Sequence, residues 1–298
     1  RVVIMPNQFG LDNFDFDDAY GEKKENLCSA DLREFIRDNQ LDLSQDGTFN
    51  PRYVFGSHSD ADHIYNTPRA WFMGRYLAKD QYKWEGPDAD FGPESDNIPW
   101  SFVPDKKVTV EDVKYVLSSY YQGTPYNPYL AEGDGRRGYY RVIGISRTTH
   151  LAILQIRSDV PDAVKGVEWI SFAANPFNAS LPLYTNVDSL PAYLTNVTLT
   201  PSTDTLYWNS RMIAALADPH FGACIQPVER YQTAVGNQSR AILHEYDKKI
   251  AESGDASLCA EANRKLVDMM KKETSDFLGQ ILLIASQHMK ISYSRADH

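Results

Sequence analysis

Residues 107–129 read KVTVEDVKYVLSSYYQGTPYNPY and join an amphipathic helix to a turn rich in tyrosine and proline. Thr109, with Asp112 three residues later, resembles a capping box and predicts the start of the helix. The apolar residues that follow recur with helical spacing: Val110, Val113, Val116, Leu117 and Tyr120. The Gly-Thr-Pro sequence from Gly123 predicts its end. This stretch therefore predicts one helix that runs to Tyr121, followed by a rigid aromatic turn.

Three strand-like runs follow this turn, at residues 139–146, 151–157 and 167–173. Each is a short, largely apolar run of the length that is typical of a strand. The four residues 147–150 separate the first run from the second. The pattern predicts an antiparallel hairpin that is extended by the third run to a meander.

The last third of the chain has a helical pattern, with segments at residues 206–217, 230–252 and 258–291. The third segment carries an apolar stripe that predicts a helix facing the core: Leu266, Met269, Met270, Phe277, Ile281, Leu282 and Ile284. Strands followed by helices favour the α+β class. We expect a sheet-bearing core over residues 1–200 and a helical C-terminal region over residues 201–298 that packs on it.

Before residue 107 the chain combines short elements with long polar or aromatic loops. Residues 1–5 predict a buried strand. Ser29 is a candidate cap for a helix over residues 30–38. The Thr-Pro pair at 67–68 predicts a helix that continues to Leu77, because proline is favoured in the first helical turn.

The composition narrows the classes of partner. The chain has 298 residues and a formal net charge of −10, which argues against nucleic acid as a main partner. No apolar run approaches the roughly 20 residues that span a bilayer. The three cysteines are few and far apart, which fits a reducing compartment. We therefore expect a cytoplasmic globular protein with no membrane segment.

One polar loop carries residue types that bind metals. His58, Asp60, Asp62 and His63 resemble the zinc loop of the metallo-β-lactamase class, in which imidazole and carboxylate ligands converge on one ion. Asp60 stands where that class has its middle histidine. The alternative is a solvated polar loop, which is common. A zinc-dependent metallohydrolase therefore remains a second hypothesis.

The printed residues include no obvious serine or cysteine nucleophile. The nucleophile-elbow pattern GxSxG does not occur. Cys28 precedes the predicted helix over 30–38, whose dipole would lower a thiol pKa, but a buried structural cysteine is the more usual finding. Cys224 and Cys259 have no evident base nearby in the sequence.

The stretch at 107–129 resembles a segment of the bacterial dipeptidase family of N-terminal-nucleophile cysteine hydrolases, relatives of penicillin V acylase and bile-salt hydrolase. The resemblance covers nearly all 298 residues and extends to further ordered stretches: Met5-Pro6-Asn7-Gln8-Phe9-Gly10, Asn50-Pro51-Arg52-Tyr53, Tyr65-Asn66-Thr67-Pro68-Arg69-Ala70-Trp71, Glu94-Ser95-Asp96-Asn97-Ile98-Pro99-Trp100 and Tyr207-Trp208-Asn209-Ser210-Arg211.

This resemblance implies a fold and a mechanism. The family has a four-layer αββα sandwich with antiparallel sheets, of which residues 1–200 would form a portion. Its nucleophile is an N-terminal cysteine that forms an acyl-enzyme, and neither metal nor organic cofactor takes part. Arg1 cannot act as this nucleophile, and the chain resembles the larger, C-terminal part of the family. We therefore expect the cysteine upstream of Arg1 and expect the isolated chain to be inactive.

Two candidate catalytic residues follow from the resemblance. Asn7 resembles the asparagine that donates to the oxyanion in the related acylases, although asparagine also favours turns after strands. Arg69 resembles their second active-site arginine, which would stabilise a thiolate or hold a carboxylate. A surface helix arginine is the alternative for Arg69, and Arg52 is a competing candidate for the same role.

The resemblance also implies partners. Small dipeptides are the expected substrates, and a homo-oligomer is expected. A non-enzymatic interaction module is a third hypothesis, because a fold that lacks strands would expose sheet edges to other chains.

Overall fold

The computed structural model describes residues 1–42, 44, 49–57, 59–131, 133 and 135–289. The chain divides into two compact units. The first comprises Arg1–Thr109 and Tyr121–Val142, and the second comprises Val110–Tyr120 and Ile143–His298. The boundary near residue 200 is not among those that separate the units, and the predicted division into 1–200 and 201–298 stays a prediction.

The first unit consists of short elements. They are β1 (Val2–Val3), α1 (Phe16–Tyr20), α2 (Leu32–Asp38), α3 (Pro51–Phe55), α4 (Asp62–Tyr65), α5 (Thr67–Leu77) and β2 (Ser101–Phe102). β1 and β2 pair antiparallel, with Val2 opposite Phe102. The predicted buried strand over residues 1–5 is thus too long. Ile4 is buried and its N–H donates to the carbonyl of Trp100 at 2.8 Å, but Met5 is 65% exposed.

Helix α5 begins at Thr67 and has Pro68 in its first turn, which confirms its predicted start. It buries Trp71 and Phe72, which are 2% and 1% exposed. The indole of Trp71 donates to the carbonyl of Trp84 at 2.9 Å, so the polar edge of this buried ring is satisfied. The helix predicted over 30–38 is also present, as α2, but its N-cap is Asp31 rather than Ser29.

The second unit holds the longer elements. They are α6 (Val110–Leu117), β3 (His150–Ile156), β4 (Gly166–Phe172), β5 (Leu181–Tyr184), α7 (Ala192–Thr195), α8 (Leu206–Ala217), α9 (Phe221–Ser253) and α10 (Leu258–Gln287). The strands form an antiparallel sheet in the order β3-β4-β5. The pairing of β3 with β4 confirms two of the three predicted strands.

Two predictions in the middle of the chain are wrong. No strand forms over residues 139–146; the backbone N–H groups of Arg141 and Gly144 instead donate to Ile64 and Ser119. Helix α6 ends at Leu117, before the predicted end at Tyr121. Tyr121 has a left-handed φ of 60°, which continues no helix.

The C-terminal helices pack on the sheet and on each other. The helix predicted over residues 230–252 is longer than expected, because α9 already begins at Phe221 and contains Pro227. Gly254 ends it with a φ of 71°, a left-handed conformation that glycine adopts without strain. Tyr231 and Phe277 stack with ring centroids 4.3 Å apart and join α9 to α10. The described elements are therefore of the predicted α+β class.

Side-chain hydrogen bonds tie the sheet to these helices. Asn263 on α10 accepts from the backbone N–H of Tyr184 and donates to its carbonyl, each at 2.9 Å. The hydroxyl of Tyr184 donates to Asp247 on α9 at 2.8 Å. Arg157 binds both carboxylate oxygens of Asp247, at 2.6 and 2.9 Å. The end of β5 is thus held by two helices.

Candidate functional site

Asn7 lies in the turn that follows β1. Its φ is 63°, a left-handed conformation that asparagine tolerates better than most residues, and its backbone N–H donates to Met5 at 3.1 Å. The residue is exposed. The turn therefore presents the side-chain amide of Asn7 at the surface of the first unit.

The corner before α5 is built around a buried carboxylate. Asp62 Oδ2 accepts from the hydroxyl of Ser57 and from the backbone N–H of Ser59, each at 2.7 Å. Burial raises the pKa of Asp62, but hydrogen bonds from Ser57, Asn66 and Ser59 outweigh it, and the pKa lies below its usual value. Asp62 is therefore an anion that fixes the start of α4.

Asn66 connects this carboxylate to both candidate catalytic residues. Its Nδ2 donates to Asp62 Oδ1. Its Oδ1 accepts from Asn7 Nδ2 at 3.3 Å and also from Arg69 Nη2. Asn66 is 8% exposed, and the bond to Asp62 fixes which end of its amide is the acceptor. One buried amide thus orients two donors that lie 62 residues apart in the sequence.

Arg69 is held by three acceptors. Besides Asn66, its Nε donates to the carbonyl of Tyr65 at 2.6 Å and its Nη2 to the carbonyl of Pro6 at 3.2 Å. Burial lowers the pKa of Arg69, and the positive charge of Arg141 lowers it further. An arginine guanidinium nevertheless stays charged in proteins, so a fixed cation lies beside Asn7.

Arg141 lies next to this cluster. Its backbone N–H donates to Ile64 at 3.1 Å, and its carbonyl accepts from the hydroxyl of Tyr121 at 2.8 Å. The guanidinium carbon is 5.8 Å from the ring centroid of Tyr65. Because Tyr121 is fully buried, the backbone of Arg141 is firmly anchored.

The competing arginine has a different partner. Arg52 Nη2 donates to the side-chain oxygen of Gln8 at 3.2 Å. Gln8 adjoins Asn7 in the chain, but Arg52 makes no hydrogen bond to Asn66 in the described part of the structure. Of the two arginines, Arg69 is thus the one that shares an acceptor with Asn7.

Two of the proposed zinc ligands, Asp62 and His63, have other partners. His58 lies outside the described residues. Asp62 is occupied by Ser57, Ser59 and Asn66, as described above, and His63 Nε2 lies 2.8 Å from Asp96. Over the residues described, no three histidine, cysteine or acidic side chains are grouped so that they could hold a metal ion.

The cysteines differ in exposure. Cys224 and Cys259 are buried, and burial raises the pKa of each thiol, which disfavours the reactive thiolate. Cys28 is half-buried. Cys224 and Cys259 thus fit structural roles rather than that of a nucleophile.

Comparison with known proteins decides the family. A family model described as peptidase family C69 matches residues 1–234. The chain belongs to peptidase family C69. C69 is a family of N-terminal-nucleophile-type cysteine peptidases, as the resemblance predicted. In the described part of this C69 chain, no helix combines the length and the apolar character needed to cross a bilayer.

Individual relatives of this C69 chain carry dipeptidase names. A dipeptidase of Bifidobacterium longum is 42% identical over 339 residues, covering 99% of this chain and 64% of the relative. A probable dipeptidase A of Streptococcus pyogenes is 40% identical, covering 99% of this chain and 60% of the relative. Dipeptidase A of Lactobacillus helveticus is 33% identical, with 99% and 60% covered. The chain therefore spans about 60% of the length of such relatives.

The sequence predicts Asn7 and Arg69 as site residues, but it does not indicate the residues that organise them. Asn66 lies between Tyr65 and Thr67 in a stretch quoted for its resemblance, yet no spacing rule marks a single asparagine. Arg141 lies in the predicted strand over residues 139–146, which does not form. The contact of Arg141 with the Tyr65 ring spans 76 positions, which no local pattern encodes.

Proposed function

We propose that this chain is the C-terminal part of a cysteine dipeptidase that hydrolyses small dipeptides. The observation that carries the proposal is the convergence of Asn7 and Arg69 on one oxygen of Asn66, in a chain whose relatives are named dipeptidases. The nucleophilic cysteine would belong to a segment upstream of Arg1, and the complete fold would be the αββα sandwich of N-terminal-nucleophile hydrolases.

The proposed reaction has two halves. The cysteine thiolate attacks the peptide carbonyl, the peptide C–N bond breaks, and the released amine takes up a proton. Water then hydrolyses the thioester and restores the thiol. Both halves pass through an oxyanion, which needs donors fixed in advance.

Asn7 would donate its side-chain amide to this oxyanion. The amide is neutral, exposed and oriented by Asn66, so it costs little reorganisation when charge develops. Arg69 would place a positive charge beside the thiolate and favour its ionised form. The bonds from Arg69 to Tyr65 and Pro6 would keep this charge in place.

Expression of two chains tests the proposal. One is the 298-residue chain, and the other is the product of the complete coding sequence. We expect only the longer chain to release free amino acids from a dipeptide, and replacement of its first cysteine by alanine to abolish that release. Full turnover by the 298-residue chain would disprove the upstream nucleophile, and turnover that survives the alanine replacement would disprove the thiol mechanism.

Location in the cell and oligomeric state are also part of the proposal. A cytoplasmic location and a homo-oligomeric state are what we expect of the complete protein. Size-exclusion chromatography with light scattering would measure the oligomer directly.

A further inference from the structure

The guanidinium group of Arg141 donates no hydrogen bond to any described residue. Its Nε is buried and has no hydrogen-bond partner. Its terminal nitrogens make no hydrogen bond to any described residue, and they are not among the buried unpartnered atoms, so they reach solvent. Buried polar groups of native proteins are normally paired, so the unpaired Nε is unusual, and the solvent-facing terminal nitrogens are available to a ligand.

Arg157 shows how this protein satisfies a structural arginine. Its Nε is also unpartnered, but its terminal nitrogens bind Asp247 twice and the carbonyl of Val164. Arg141 has no such carboxylate partner among the described residues, although its backbone is fixed by Tyr121 and Ile64. The fold therefore anchors the backbone of Arg141 but provides no described acceptor for its guanidinium group.

The surroundings of Arg141 favour an anion. Arg69 lies close enough for its pKa to be lowered by the charge of Arg141. Tyr65 links the two residues, since Arg69 donates to its carbonyl and Arg141 lies 5.8 Å from its ring centroid. The neighbouring carboxylate of Asp62 is taken up by Ser57, Ser59 and Asn66.

We propose that Arg141 binds the free α-carboxylate of the dipeptide substrate. This inference rests on the proposed dipeptidase function. A guanidinium presents parallel N–H donors that match a carboxylate, and a second cation beside it strengthens the attraction. The site would thereby favour substrates that carry a free carboxylate close to the scissile bond, since Arg69 shares an acceptor with Asn7 and is influenced by the charge of Arg141.

The test compares a dipeptide with its C-terminal amide. Alanyl-alanine and alanyl-alaninamide differ only in the carboxylate, and both are measured on the product of the complete coding sequence by steady-state kinetics and by equilibrium binding. We expect Arg141→Gln to raise KM for alanyl-alanine at least about 10-fold with kcat within about 3-fold, as for loss of a charge-assisted hydrogen bond. We expect Arg141→Lys to recover part of the loss.

The amide and a control variant show whether the effect is specific. Arg141→Gln should change kcat/KM for alanyl-alaninamide less than about 2-fold, because no carboxylate is present to lose. Arg147→Gln, at an exposed arginine of the same chain, should leave kcat/KM unchanged for both substrates. Equal losses on the acid and the amide, or a fall in kcat at constant KM, would overturn the inference.

The two proposals fail differently. If the wild type cleaves both compounds equally well, the carboxylate site is wrong and the dipeptidase function stands. If the wild type cleaves neither but binds the acid more tightly than the amide, and Arg141→Gln removes that preference, the dipeptidase function is wrong and the carboxylate site stands. Absence of any binding preference for the acid would reject the site in either case.

Discussion

The side-chain amide of Asn7 and the guanidinium of Arg69 donate to the same oxygen, Oδ1 of Asn66. That oxygen is held in place because the other end of the Asn66 amide donates to Asp62. The orientation of both donors therefore depends on a residue that need not touch the substrate.

Asn66→Ala should weaken catalysis without removing any proposed catalytic group. Loss of the shared acceptor leaves Asn7 and Arg69 free to shift, and small misplacements cost up to about 100-fold in rate. We expect kcat of the complete enzyme to fall about 10- to 100-fold with a smaller change in KM. Asn13→Ala, at an exposed asparagine, is the matched control. Unchanged kcat in Asn66→Ala would contradict the positioning role.

Substitutions of Asn7 should separate its amide from its backbone conformation. Asn7→Gly keeps the left-handed φ of 63° but removes the donor, and Asn7→Asp keeps the shape but replaces the donor with an acceptor. Both should lower kcat by about 100-fold or more, the cost of losing one oxyanion donor. Asn7→Ala should in addition lose about 1 kcal/mol of stability from backbone strain. Near-normal turnover by Asn7→Gly would exclude the oxyanion role.

Asn263→Ala should destabilise the second unit. The replacement leaves the N–H and the carbonyl of Tyr184 unpaired in a buried place, which costs about 2–4 kcal/mol in the free energy of unfolding. Urea denaturation followed by circular dichroism measures the change. Asn237→Ala, at an exposed position of α9, should shift the same free energy by less than about 0.5 kcal/mol. Similar unfolding midpoints for the two variants would refute this account.

His63 should make stability depend on pH. Its hydrogen bond to Asp96 raises its pKa above the usual 6.5. A raised pKa in the folded state adds stability that is complete below pH 6.5 and is lost as the pH rises through the folded pKa. Asp96→Asn should therefore destabilise the protein more at pH 5.5 than at pH 8.5. An NMR titration should show the pKa of His63 falling in this variant; an unchanged pKa would rule out the pair.

The local sequence pattern was enough to predict those elements whose boundaries are marked by characteristic residues. The Thr67-Pro68 pair marks the start of α5, and a short apolar run that follows a turn marks β3. It failed for β5, whose four residues Leu181–Tyr184 are all buried and include a proline. That strand exists because β4 pairs with it and because Asn263, 79 residues away, completes its backbone hydrogen bonds. Such tertiary contacts leave no trace in a short window of sequence.

The residues of the candidate site also fall into two groups: those that the sequence indicates and those that only tertiary contacts reveal. Asn7 and Arg69 are predicted from the sequence because each resembles an active-site residue of the related acylases. Asn66 and Arg141 were missed because each acquires its significance only from contacts made across the fold. Asn7 lies 59 positions from Asn66, and Arg141 lies 77 positions from Ile64, whose carbonyl it binds.

The double hydrogen bond between Asn263 and Tyr184 also covers the edge of the three-stranded sheet at Tyr184. An exposed edge strand offers its backbone N–H and carbonyl groups to any extended segment of another molecule. Here a side-chain amide from α10 occupies both groups of Tyr184. The helix thus protects the folded chain against intermolecular strand addition, and its detachment would turn a buried ladder position into a starting point for aggregation.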